Sequence, residues 1–254
     1  MRHARIVVLG TSPRTRRLLF SMGAAFTVND AKPSSGPRQL TWFQVWGYRA
    51  VQNFAWVCCK LMFGVKKSGF DLMPETGATL VCANHQSNLD PILVGCLTSR
   101  RLNYLAKKSL FKYPPLSWLI HFLDAIPLAK EGLSAEGIKE TLRRLKREEA
   151  VLMFPEGART FTGQMTPLLP GFITLVKRTK PILVPVGIAG AFEAWPRTRP
   201  VPLPGPRIRV VMGSPILAAD YESLTEAQLT TLLDQRIRDC VVEAQKQLGR
   251  EPNP

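Results

Sequence analysis

The chain has 254 residues, 45% of them apolar and 21% charged, which describes a folded protein and not a disordered one. That length allows one large core with a small appendage. Its 34 basic and 19 acidic residues leave a net charge of +15, a balance that points to a polyanionic partner: nucleic acid, an anionic membrane or phosphorylated substrates.

Residues 1–39 hold Arg2, Arg5, Arg14, Arg16, Arg17, Lys32 and Arg38 against a single acid, Asp30, and close in Pro33-Ser34-Ser35-Gly36-Pro37. This reads as a basic, poorly ordered tail and linker. Residues 40–64 follow with Trp42, Phe43, Trp46, Tyr48, Phe54, Trp56 and Phe63, and only Arg49 and Lys60 charged. As a helix the stretch would be about 37 Å long. Being apolar nearly all round, it suits either a core helix or one lying in a membrane interface. Trp and Tyr beside basic residues favour the interface, where such rings settle among headgroups.

From residue 65 to 254 the pattern alternates. Apolar or β-branched runs at 79–84, 102–106, 124–128, 150–154, 182–188 and 207–213 predict strands. Helical patterns lie between them at 91–99, about 115–122, 134–147 (with Ser134 as its cap) and 171–178. A last helix is expected from the capping box Ser223-x-x-Glu226 toward Leu248, with Ala227, Leu229, Leu232, Leu233, Ile237 and Val241 on its packed face. Strands alternating with helices predict an α/β fold: a single three-layer domain whose mixed, mostly parallel central sheet is flanked by helices, preceded by the helical element at 40–64.

Two stretches carry chemistry. In Thr79–Val94 a strand ends at Asn84-His85, and Asp90-Pro91 opens a helix. A histidine needs a partner on one ring nitrogen to hold the tautomer that accepts a proton on the other, and Asp90 can supply it. The competing reading makes Asp90 a helix N-cap. In the second stretch the strand Val151–Phe154 runs into Pro155-Glu156-Gly157-Ala158-Arg159. Ligands in α/β sheets sit beyond the carboxyl ends of strands, and Arg159 offers a fork suited to phosphate. Taken alone, the tetrapeptide is better explained as a surface turn with an ion-paired arginine.

Together, Asn84-His85-Gln86-Ser87-Asn88-Leu89-Asp90 and Phe154-Pro155-Glu156-Gly157-Ala158-Arg159-Thr160 resemble the N-H-x-x-x-x-D and F-P-E-G-[TS]-R-[ST] motifs of the 1-acylglycerol-3-phosphate acyltransferase family of glycerolipid acyltransferases. Leu183-Val184-Pro185-Val186-Gly187-Ile188 is similar to a third motif of that family. Two positions depart from the pattern: Ala158 stands where Thr or Ser is usual, and Lys130 where an arginine is usual. The resemblance implies His85 as general base, Asp90 as its orienting partner and Arg159 on the acceptor's phosphate. Lys108 and Lys130 would assist there, with Glu156 and Gly157 shaping the acceptor site. It also implies an acyl-CoA or acyl carrier protein thioester as co-substrate, no metal or other cofactor, and a lysophospholipid acceptor. The same motifs serve acyltransferases for other lysophospholipids and amino-lipids. An N-terminal helical element docked on an anionic membrane would complete the picture.

Other classes fare less well. No His pair has metal-ligating spacing, no GxSxG elbow is present, and the five cysteines (Cys58, Cys59, Cys82, Cys96, Cys240) form no CxxC. Cys82 reads as a buried strand residue, and His121 as a packed or surface histidine. No nucleic-acid-binding motif accompanies the charge, so nucleic acid is not an expected partner. A nucleic-acid-binding protein, supported only by the charge, a catalytically silent membrane scaffold and a hydrolase are the alternatives. No run reaches the roughly 18 uncharged apolar residues of a spanning helix, and Ile6–Leu9 is too short for a signal-peptide core. The expected location is the cytoplasmic face of a membrane, held peripherally or monotopically.

Overall fold

Helix α1 (Trp42–Phe63) has two unlike faces. Tyr48, Gln52, Cys59 and Phe63 are buried, and Gln52 donates through Nε2 to the carbonyls of Gly95 and Thr98 at 2.8 and 2.7 Å. The opposite face leaves Trp46, Phe54 and Leu61 exposed at 70%, 72% and 81%, with Trp42, Phe43, Val45 and Val57 also exposed. The helix is therefore neither a core helix nor apolar surface on all sides. It packs along one edge and presents an aromatic stripe along the other. The structure is a computed structural model that describes residues 41–107, 126–128 and 135–251. The expected helix near 115–122 and the expected cap Ser134 lie outside these residues.

Among the described residues seven strands form one sheet: β1 (Lys66–Ser68), β2 (Thr79–Ala83), β3 (Leu102–Lys107), β4 (Ile126–Leu128), β5 (Ala150–Met153), β6 (Ile182–Ala189) and β7 (Arg209–Met212). Their spatial order is β1-β7-β6-β2-β5-β3-β4. All neighbours are parallel except β6 and β7. β1 escaped the sequence reading because Lys66-Lys67-Ser68 is a short polar edge strand, the kind that carries no apolar run.

Alternation along the central strands builds a core on each face. Val81 and Ala83 of β2 and Leu152 of β5 point to the side covered by α1 and by α2 (Asp90–Leu97), where Phe63, Leu93 and Val94 meet them. Leu80, Cys82, Val151 and Met153 point to the other side. There they meet α3 (Ala135–Leu145), α4 (Gly171–Thr179) and a long C-terminal helix at Glu226–Lys246. Between β6 and that helix lie two single turns, α5 (Ala191–Ala194) and α6 (Ala218–Tyr221), so the C-terminal helix is α7. The result is the three-layer α/β arrangement with a mixed, mostly parallel sheet that the alternating pattern predicted.

α7 lies directly on β6. A Cβ at Gly187 would come within 2.2 Å of the Cys240 backbone, so only glycine allows that approach. The expected cap is corrected by two residues: the capping box is Thr225 with Gln228, not Ser223 with Glu226. Thr225 has the extended backbone of an N-cap and its hydroxyl accepts the Gln228 N–H at 3.3 Å, whereas Ser223 precedes the helix altogether. Ala227, expected on the packed face, is exposed, while Leu229, Leu233, Ile237 and Val241 are buried.

Candidate active site

β2 and β5 are adjacent and parallel, with Cys82 opposite Met153, so the loops that follow them leave the sheet side by side. The loop after β2 is fixed by its own polar side chains. Asn84 mimics one more rung of the sheet, donating from Nδ2 to the Ile188 carbonyl at 3.0 Å and accepting the Ile188 N–H at 2.7 Å. Gln86 donates to the same carbonyl at 2.5 Å and accepts the Phe192 N–H at 3.0 Å. Ser87 donates to the Trp195 carbonyl at 2.8 Å and accepts the Leu89 N–H at 3.0 Å. Each buried polar side chain here satisfies main-chain groups that would otherwise be buried without a hydrogen-bond partner.

His85 emerges from this loop with its side chain 17% exposed. Its Nδ1 lies 2.8 Å from Asp90 Oδ2, and the same oxygen accepts the N–H groups of Gln86 and Ser87, each at 2.7 Å. Asp90 is wholly buried and is the first residue of α2, with Leu89 preceding it as the N-cap. Its carboxylate therefore faces back toward the histidine loop and makes no capping bond, which removes the competing N-cap reading. An acceptor-only carboxylate holds the proton on Nδ1 and leaves Nε2 as the basic nitrogen. The ring also stacks on Phe154, with centroids 3.9 Å apart and planes tilted by 14°.

The loop after β5 wraps around the same histidine. Glu156 accepts the His85 N–H at Oε1 (2.6 Å) and both the N–H and hydroxyl of Thr166 at Oε2 (2.7 Å each). The Thr160 N–H donates to the His85 carbonyl at 2.9 Å. Burial pushes the Glu156 carboxyl above its ordinary range, against the pull of those donors. Gly157 sits at φ +76°, where an L side chain is strained, and a Cβ there would also meet Leu169 at 2.5 Å. Arg159 donates from Nη1 to Asn88 Oδ1, and its carbonyl accepts Arg197 Nη1 at 3.1 Å.

The structure thus brings His85, Asp90, Glu156, Gly157 and Arg159 to one end of the sheet. Glu156 is committed to holding the two loops together and is only 5% exposed. Lys108, Lys130 and His121 lie outside the described residues. Phe154, Gln86 and Thr166 were missed as site residues, because a ring stack and bonds between distant segments leave no spacing signal in the sequence. Cys82 is fully buried within β2 and burial pushes its thiol up to about 12, so it is a core residue and not a thiolate. Among the described residues no group of His, Cys, Asp and Glu side chains is arranged to hold a metal ion.

Residues 64–189 match the profile of the family described as Acyltransferase. The 1-acyl-sn-glycerol-3-phosphate acyltransferase of Bacillus subtilis (strain 168) is 27% identical over 197 residues, 76% of this chain and 96% of that protein. The enzyme of the same description from Cocos nucifera is 31% identical over 181 residues, which is 68% of this chain but 57% of that longer protein. A Saccharomyces cerevisiae relative of that description is 29% identical, covering 76% of this chain and 64% of its own length. The crystal structure of the 1-acyl-sn-glycerophosphate acyltransferase from Thermotoga maritima shares the fold, with a TM-score of 0.70 at 21% identity and 82% of each chain covered. Motifs, fold and relatives agree, and over residues 64–189 the chain matches the acyltransferase family.

Proposed function

We propose that the protein transfers a fatty acyl group from a thioester, carried by coenzyme A or acyl carrier protein, to the free hydroxyl of 1-acyl-glycerol-3-phosphate, giving phosphatidate. The observation that carries the reading is the bond from His85 Nδ1 to Asp90, which leaves Nε2 as a base in the loop whose Asn88 is bonded by Arg159. An alcohol does not ionise near neutrality, whereas an imidazole has an ordinary pKa of about 6.5. As the hydroxyl oxygen bonds to the thioester carbonyl carbon, its proton passes to Nε2. The C–S bond then breaks and the leaving thiolate takes the proton back. No electrons are exchanged, and the imidazole ends as it began. General-base assistance of this kind contributes about 10²–10⁴-fold.

Asp90 would steady the imidazolium that forms during attack, and Phe154 would limit rotation of the ring. Arg159 would engage the acceptor's phosphate, for which a guanidinium fork is geometrically suited. Lys108 and Lys130 would add charge to the same end of the substrate. The relatives named above support lysophosphatidate as acceptor.

The exposed aromatic stripe of α1 would lie in a membrane interface, where the acceptor resides. No helix among the described residues is long and apolar enough to cross a membrane; docking would be peripheral or monotopic. Basic residues near an anionic leaflet contribute about 1 kcal/mol each, which gives the +15 charge a role.

The deciding experiment is mass spectrometry of products from a panel of lysolipids, with wild type and His85→Ala. Phosphatidate should form from lysophosphatidate with wild type, and the folded variant should lose nearly all transfer. Equal transfer by both proteins would remove His85 from the mechanism.

A further inference from the structure

We infer that segment 196–207, Pro-Arg-Thr-Arg-Pro-Val-Pro-Leu-Pro-Gly-Pro-Arg, is a second membrane-docking element that seats Val201 and Leu203 in the headgroup region of an anionic bilayer beside α1. The inference rests on the membrane-surface reading above and extends it to a part of the chain far from α1 in sequence. Val201 and Leu203 are 63% and 50% exposed, in a segment with no helix or strand of its own. Neither side chain contributes to either face of the sheet.

Main-chain bonds fix the segment against the end of α1. The Gly205 N–H donates to the Met62 carbonyl at 3.0 Å, and the Ile208 N–H to the Phe63 carbonyl at 3.1 Å. The exposed stripe of α1 ends at Leu61 and Met62. The aliphatic tips of the segment therefore continue that stripe onto a second element. Five prolines (Pro196, Pro200, Pro202, Pro204, Pro206) stiffen the segment, so little conformational freedom is lost when it docks.

Charge selects the occupant. The segment carries Arg197, Arg199 and Arg207 and no acid. Arg197 and Arg199 bond to the neutral carbonyls of Arg159 and Glu193, which hold the guanidinium groups in place without cancelling their charge. Apolar tips flanked by fixed cations match an anionic lipid surface better than a neutral one.

The foot of the segment reaches the active site. The Trp195 carbonyl accepts Ser87 Oγ at 2.8 Å and the Asn88 N–H at 3.3 Å, and Arg197 holds the carbonyl of Arg159. One strap is bonded to both motif loops, which brings the lipid surface to the side from which the acceptor enters.

The test is co-sedimentation of the full chain with vesicles of phosphatidylglycerol and phosphatidylcholine, against phosphatidylcholine alone. Val201→Asp combined with Leu203→Asp should bind anionic vesicles about tenfold more weakly, with an unchanged thermal midpoint. Val201→Trp, which adds an interfacial ring, should bind them several-fold more tightly. If the double variant melts early, the gain in Val201→Trp decides by itself. Unchanged vesicle binding in these variants overturns the inference. So does a wild-type dimer that the double variant dissociates, since the face would then belong to a second copy of the chain. Wild-type turnover of dispersed short-chain lysophosphatidate reads the proposed reaction separately: its absence overturns the function, whereas unshifted vesicle binding overturns only this docking element.

Discussion

The Glu156 carboxylate accepts the backbone N–H of His85 at 2.6 Å, so a residue of one motif holds the main chain of the other. Its second oxygen takes the Thr166 N–H and hydroxyl. Both oxygens face N–H donors. Glu156→Gln replaces one acceptor by a donor and sets an NH₂ against an N–H. The expected loss is about 1–3 kcal/mol of stability, measured by chemical denaturation, together with a fall in kcat at temperatures where the variant is folded. A fall in neither would mean that the two loops are held by other bonds.

Asp90→Asn should fold, since the amide has nearly the same shape and its oxygen can still accept the N–H groups of Gln86 and Ser87. What disappears is the negative charge that fixes the Nδ1 proton and steadies the imidazolium. Turnover should drop by roughly 10²–10⁴-fold with little change in KM. Steady-state kinetics on both substrates checks this, and a variant with wild-type kcat would separate Asp90 from the chemistry.

Cys82→Ala should retain acyl transfer within a few-fold, at a stability cost of about 1 kcal/mol for the small cavity left in the core. The thiol is raised from 9.0 to about 12 by burial. Because the folded state disfavours the thiolate, the stability linked to this group is fully present below pH 9 and declines as pH rises toward 12. Alkylation at pH 8 should therefore modify Cys82 only after unfolding. A folded Cys82→Ala protein devoid of activity would point to a covalent thioester route in place of direct transfer.

Arg159→Ala should act mainly on the acceptor. Its KM for lysophosphatidate should rise by about tenfold or more, the loss of one charge-assisted contact to a phosphate. Acceptors lacking phosphate should be affected far less. Equal losses on both would assign Arg159 to holding Asn88 and the histidine loop, a bond it also makes.

The sequence revealed the elements that bury apolar runs. β2, β5 and β6 are uniformly buried strands, and such strands are written as unbroken apolar runs. The five-residue spacing from His85 to Asp90 also held, because the turn between them is short enough for one geometry. β1 stayed hidden because it is polar and at the edge. The antiparallel direction of β7 was equally illegible, since strand polarity is set by the connection and not by the strand's composition. The stack of His85 on Phe154 and the grip of Asn84 on Ile188 join positions distant in the chain, and no local pattern encodes them.

The adjacency of β2 and β5 has a consequence for how such proteins diverge. Between Ala83 and Ala150 the chain forms α2 and adds β3 and β4 to the sheet on the far side of β5, yet β2 and β5 themselves are hydrogen-bonded neighbours. Residues can be gained, lost or exchanged in the connections that follow α2, outside β3 and β4, without altering the register that sets the histidine loop beside the arginine loop. Selectivity for chain length or headgroup can then drift there, while the reacting centre stays under the sheet's control.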